Sequence, residues 1–326
     1  LNSDSSKLEP EKTTYYDGVK KNLEVKNQTI ESLDLSELTL SEVPSYQALD
    51  LTQIIAKDKK GKKYYIYFGP KSHNFVLRNG LLAKLGYVTQ PIKHQLNLEL
   101  KTSSVKARSL LQLLQSNLIF KNSNRWIKNV EKELINDQWV WKYTDSSPDV
   151  IKLQDVIIAP VNNKTFDLDY GYVAPQIIDG FRSINALLVP YSLVEVPESI
   201  NKFLPQPGQI YDQKLYLDYS LQNSDYDTFT TTFNDAKWIT RKLSKLTRDD
   251  FQDIVNQVNY PTSEISQLLV EKIIARRNWL TRTLLPNEQI PSINNNLNFS
   301  KGLVKSGVIT QQTSYTNPED VLNPDK

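Results

Sequence analysis

An α+β protein is the fold class this sequence predicts: an N-terminal hairpin, sheet and helix region, then a mainly helical C-terminal region, with extended polar tails at both ends. Three observations predict it. β-rich runs crowd the first half, as in "LTQIIAKDKKGKKYYIYFGP". From Asp235 onward, apolar residues recur at three- and four-residue spacing. The ends, "LNSDSSKLEPEKTT" and the Asn/Ser/Pro-rich stretch after residue 286, show little apolar periodicity. The expected organisation is a tether or docking segment over 1–45, an α+β lobe over 46–161, a mainly helical lobe packed on it over 162–285, and an extended or disordered arm over 286–326.

Each element has a local reason. "IESLDLSELTLSEVP" alternates leucine with polar residues, which suits a short strand or an extended docking segment. Two β-rich runs flank a turn at Asp58–Gly61, so 51–70 reads as a hairpin, with the lysines of Lys57–Lys63 solvated. "KSHNFVLRNGLLAKLGY" carries a capping Ser72, an apolar stripe and a terminal Gly86; Asn79-Gly80 interrupts it. Ile92, His94, Leu96, Leu98 and Leu100 share one face of a strand, which makes His94 a half-buried strand residue. "SVKARSLLQLLQSNL" is an amphipathic helix, and Trp126, Trp139 and Trp141 anchor the short elements of 121–148 to the core. "DVIIAPV" is a short buried strand. A helix over 181–194 is kinked or ended by Pro190. "QIYDQKLYLDYSL" is a strand or hairpin arm, and "DAKWITRKLSKL" a helix. A capping box of Thr247 and Asp250 opens the next helix. Tyr260-Pro261 breaks that one, and Ser263 caps the long last helix.

Composition excludes several functions. The 326 residues carry 39 Lys+Arg against 37 Asp+Glu, a net charge of +2, which argues against a nucleic-acid binder. No apolar run reaches the roughly 20 residues of a bilayer span. Without cysteine there are no disulfides, zinc–thiolate sites or thiol nucleophiles. Histidine chemistry rests on His73 and His94 alone. The polar start fits a mature secreted protein or a lipoprotein with a lipid tether.

The catalytic motifs tested are absent: there is no Walker loop, Rossmann fingerprint, G-x-S-x-G elbow or H-E-x-x-H. The order hairpin, Lys71, helix "LLAKLGY", strand, then "FRSINALLVPYSLVEVPESIN", "LYLDYS" and a helical tail resembles atypical secreted kinases of the CotH and HipA-like groups, across about residues 50–285. The resemblance implies a kinase-like scaffold. In an active member, Lys71 and Asp218 would be catalytic, and Asn201 and Asp218 would hold metal. The place five before Asn201, aspartate in those kinases, is Val196, with Glu195 beside it.

One helix poses its own question. In "LLVEKIIARRNWLTRTLLP", Arg277 interrupts the row Leu269, Ile273, Leu280, while Arg276 lies with Lys272 and Trp279 on another face. A partly buried arginine needs a carboxylate, and Asp235, Asp249, Asp250 and Asp253 on the preceding helices are available, so Arg277 is expected to form a structural clamp, with Asp250 as its partner. Arg276 and Trp279 are left to meet a partner. The leading expectation is a non-enzymatic structural or interaction component of a bacterial cell-envelope or secreted assembly, periplasmic, outer-membrane-associated or secreted. It joins protein partners or itself through its terminal arms and needs no metal or other cofactor. The alternatives are a divergent or inactive kinase-like phosphotransferase, and a carbohydrate or peptide binding module using Trp126, Trp139, Trp141 and Tyr143.

Overall fold

The computed structural model describes residues 33–44, 51–69, 71–87, 89, 91–116, 125–161, 186–196, 203, 206–211, 214–217, 233–260 and 262–296. Asn201, Asp218 and the arm beyond 296 lie outside them. Strands and helices are both present, so the chain is α+β. It divides into two compact units with boundaries after Val76, Thr89 and Asn163.

The first unit holds a closed barrel of β1 (Thr39–Glu42), β2 (Thr52–Lys57), β3 (Lys63–Phe68), β4 (Lys93–Lys101) and β7 (Val150–Pro160). Their order around the ring is β1-β2-β3-β7-β4. Strand direction cannot alternate around an odd ring, so one neighbouring pair must be parallel; it is β1 with β4. Leu40, Ile54, Ala56, Ile66, Leu98, Leu100, Ile151, Leu153 and Val156 fill the interior. β1 therefore belongs to the barrel, and of the two readings of its stretch, a short strand or an extended docking segment, the strand is the one that forms. The expected β2–β3 hairpin is present, and its turn is held by the Asp58 carboxylate, which accepts from the Lys60 and Lys62 amides at 2.9 Å.

Between β4 and β7 lie α2 (Ser104–Ser116) and a hairpin of β5 (Val130–Ile135) and β6 (Gln138–Tyr143). Asn136 and Asp137 take φ of +51° and +62°, the left-handed pair that a tight hairpin turn requires. Val130 and Tyr143 are buried at the hairpin's base, whereas Trp139 at its tip is 68% exposed and anchors nothing. The chain's expected tryptophan anchors thus reduce to Trp126, which is buried, and Trp141, which packs partly on the core.

Helix α1 (Ser72–Lys84) runs through Asn79-Gly80 without interruption. Gly80 is there for space: a Cβ would stand 3.3 Å from Ile254. Gly86, at φ +96°, closes the helix in a Schellman motif, with the Tyr87 amide on the Leu82 carbonyl at 2.9 Å.

The second unit contains α3 (Leu188–Val194), a hairpin of β8 (Gly208–Tyr211) and β9 (Lys214–Leu217), α4 (Phe233–Leu243), α5 (Arg248–Asn256) and α6 (Ser263–Leu284). Pro190 does not end α3. It occupies the first turn, where its missing N–H is no loss. Thr262, not Ser263, caps α6. The chain after α6 folds back along it through residue 296. The Asn278 carboxamide bonds both the amide and the carbonyl of Ile293, and the buried Glu271 carboxylate accepts from the Asn296 amide at 2.8 Å.

The Thr247–Asp250 capping box forms as expected, and Asp250 also accepts from Lys84 at 2.8 Å. Burial raises the Asp250 pKa, but the bonds from Lys84 and Thr247 outweigh it and hold the carboxyl below its ordinary range. A depressed folded pKa adds stability that is complete above the unfolded value, about 3.9, and is lost as pH falls through the folded one. Asp250→Asn is expected to cost about 1 kcal/mol at pH 7, less as pH drops below about 4. Urea melts across that range check it; a loss independent of pH would discard the electrostatic account.

Candidate metal centre

The site is built on an irregularity in β7. Asp155 takes φ +58°, a left-handed conformation that the short polar side chain of aspartate tolerates. Before it, Ile151 and Leu153 point into the core; after it, Val156 and Ile158 do. The alternation has slipped by one residue. The partner strand slips too, because directly opposite residues share a face. Leu98 and Leu100, opposite Leu153 and Ile151, face the core, whereas Gln95 and Lys93 stand opposite Val156 and Ile158. The expected single face of Ile92, His94, Leu96, Leu98 and Leu100 is thus broken, and Leu96 is left 52% exposed.

The slip turns His94, opposite Ile157, to the outside of the barrel wall. Tyr67, also opposite Ile157, lies on the same outer face and stacks on Phe75 of α1, ring centroids 4.8 Å apart. The first turn of α1 thereby brings His73 to the same place. Asp155 joins the two: one carboxylate oxygen is 2.6 Å from His94 Nε2, the other 3.0 Å from His73 Nε2. The histidine rings are 6.4 Å apart at 72°. The His94 side chain is 4% exposed, and those of His73 and Asp155 about one-fifth.

Burial works against the Asp155 anion, but the hydrogen bonds from His73 and His94 outweigh it, and the carboxyl stays well below the usual carboxylate range. An ionised carboxylate only accepts, so each Nε2 donates to it. A metal ion would replace those two protons with itself. The three donor atoms lie within 4.8 Å of one another. Zinc bonds of about 2.0–2.1 Å place tetrahedral donors about 3.3 Å apart, so with one carboxylate oxygen as ligand the widest donor separation would have to close by up to roughly 1.5 Å. Two imidazoles and a carboxylate suit zinc and its first-row neighbours and leave one position open.

The residues singled out from the sequence lie elsewhere. Lys71 sits in the turn before α1, where its carbonyl accepts the Phe75 amide at 3.2 Å, and not on a strand. Arg277 is 2% exposed, yet its acceptors are the carbonyls of Ser244 and Pro291 and the Asn278 side chain, while Asp250 serves the α5 cap and Lys84. The expected Arg277–Asp250 pair is not made. Arg276 and Trp279, expected to meet a partner, are each 1% exposed. Arg276 donates to the Ser192 carbonyl and lies 3.7 Å over the Phe203 ring. Beside it, Lys272 is buried, and burial, helped by Arg276, pulls its ammonium down to about 8.

Sequence reasoning passed over Asp155, and the signal for it was present. In "VIKLQDVII" the apolar alternation changes phase across Gln154-Asp155, which marks a bulge-like step with an acidic residue in it. Comparison with protein-family models, curated proteins and solved structures finds no match. Among the described residues no helix is long and apolar enough to cross a membrane.

Proposed function

We propose that this chain is a metal-binding protein whose barrel unit takes one divalent transition-metal ion, zinc by donor chemistry, at His73, His94 and Asp155. The observation that carries the reading is that both histidines of the chain meet on one aspartate held in a left-handed step of a barrel strand. The ion ties the first turn of α1 to β4 and β7, and water takes the open position. A tie of this kind suits the non-enzymatic component expected from the sequence.

The test is titration of the metal-stripped chain with Zn²⁺ by calorimetry, with Co²⁺ absorption to report the geometry. One ion per chain is expected, with affinity falling at least about 10–100-fold in His94→Ala and Asp155→Asn. Uptake that neither variant weakens, or no stoichiometric uptake at all, overturns the reading.

A further inference from the structure

The helical unit carries a peptide site that the chain fills with its own segment 291–296. Three side chains of α6 and one of α5 hold that segment. Arg277 donates to the Pro291 carbonyl at 2.9 Å. The Asn278 carboxamide donates to the Ile293 carbonyl at 2.8 Å and accepts from the Ile293 amide at 3.1 Å. Arg248 donates to the Asn294 carbonyl. The Glu271 carboxylate accepts from the Asn296 amide at 2.8 Å, and its carboxylate and carbonyl both accept from the Asn295 side chain. Apart from the Asn295 bonds, every one of these ends on the segment's main chain. The spacing explains the fit. Glu271 and Asn278 are seven residues apart, about 10.5 Å along a helix. Asn296 and Ile293, which they hold, are three apart, about 10 Å of extended chain. The segment therefore runs nearly straight and antiparallel to α6.

The two sides of this contact differ in what they lose on parting. No residue of 286–296 is buried, so lifting the segment uncovers little apolar surface. Glu271, Arg277 and Asn278 are 1%, 2% and 4% exposed, and an emptied face strands polar atoms that the segment satisfies. The link is lightly held: Pro286 to Gln289 are exposed and tied by the Glu288 amide on the Leu285 carbonyl and an exposed Arg241–Glu288 ion pair. The face thus calls for an extended main chain with an asparagine at one place, and it is indifferent to which chain supplies it. We propose that it also takes residues 291–296 of a second copy, so that two chains join by exchanging the segment. That segment is the one ligand whose fit the structure shows, and in exchange each bond is remade with an identical partner. The cis segment competes at an effective concentration on the order of mM, so exchange belongs where copies are held close together. The metal centre shares no residue with this face.

Two full-chain variants test it in a mixture. Ile293→Pro removes the amide that Asn278 accepts from, which disables the segment and leaves the face open. Asn278→Ala disables the face and leaves the segment free. Native mass spectrometry should show each alone as a monomer and the mixture as a mixed dimer whose share grows with concentration; His94→Ala in either chain should change nothing. A labelled peptide of residues 286–296 keeps the test valid where Asn278→Ala fails to fold. By fluorescence anisotropy one peptide should bind per Ile293→Pro chain, and the unaltered chain, occupied in cis, should bind at least about tenfold more weakly. The same peptide with Ile293→Pro should also lose at least about tenfold. A mixture without mixed dimers from folded variants, dimers that either variant forms equally well alone, or a peptide that the Ile293→Pro chain does not bind would each overturn the proposal.

Discussion

Trp279→Ala is expected to destabilise the helical unit by about 3–5 kcal/mol, the range for emptying a buried tryptophan site. The residue is 1% exposed and among the largest fully buried side chains. It sits in the second half of α6, within a stretch where every residue from Leu268 to Thr281 is buried, so no solvent-facing side can absorb the cavity. At about 2–4 °C per kcal/mol, the melting transition should fall by about 10 °C. Trp139→Ala makes the contrast. Its ring is 68% exposed, and the change should stay within about 0.5 kcal/mol. Thermal and urea melts of the two variants decide the matter. Had Trp279 been the partner contact its sequence context suggested, its removal would change stability as little as removal of Trp139; near-equal melts would restore that reading.

The difference between those two tryptophans shows what was legible beforehand. Local signals were read well. The Thr247–Asp250 box, the Gly86 terminus and the Asp58–Gly61 turn each depend on residues within a few positions of one another. The long helix was harder. A helical wheel distinguishes faces only where one face meets water, and α6 is enclosed all round. Its charged side chains are satisfied by groups far away in sequence: Arg276 by Ser192, Arg277 by Ser244 and Pro291, Glu271 by Arg248 and Asn296. Nothing in the helix's own sequence names those acceptors.

The metal centre has the same character. His73, His94 and Asp155 come from a helix and two strands, and they meet because two strands slip phase together at one left-handed aspartate. The slip is written in "VIKLQDVII", but its consequence for His94 becomes visible only once β4 is paired with β7. Only the α+β class and most helices and hairpins could be read in advance; the barrel closure could not, since it depends on β1 pairing with both β2 and β4.

Arg277→Leu is expected to cost about 3 kcal/mol, and the reason separates it from a buried ion pair. Where two opposite charges are buried together, apolar replacement of both can be neutral, because nothing polar is left behind. Arg277 instead donates to backbone carbonyls, and those stay when the side chain goes. Nη1 serves the Pro291 carbonyl at 2.9 Å and the Asn278 side chain at 3.0 Å, and Nη2 serves Ser244 just beyond α4. Each buried acceptor left unpaired costs about 1–3 kcal/mol. Two effects moderate the sum. Burial already disfavours the Arg277 cation, and its Nε finds no acceptor among the described residues. Leucine relieves both, which holds the figure near the lower end. Arg277→Lys should recover only part of the loss, since a single ammonium cannot span carbonyls that the guanidinium fork reaches on two sides. Loss of the Pro291 bond should also loosen the chain that folds back on α6, so limited proteolysis of the leucine variant should cut within 286–296 faster than in the unaltered chain. A leucine variant that melts within about 1 kcal/mol of the unaltered chain, with no faster cutting, would mean that the helical unit holds together without the arginine.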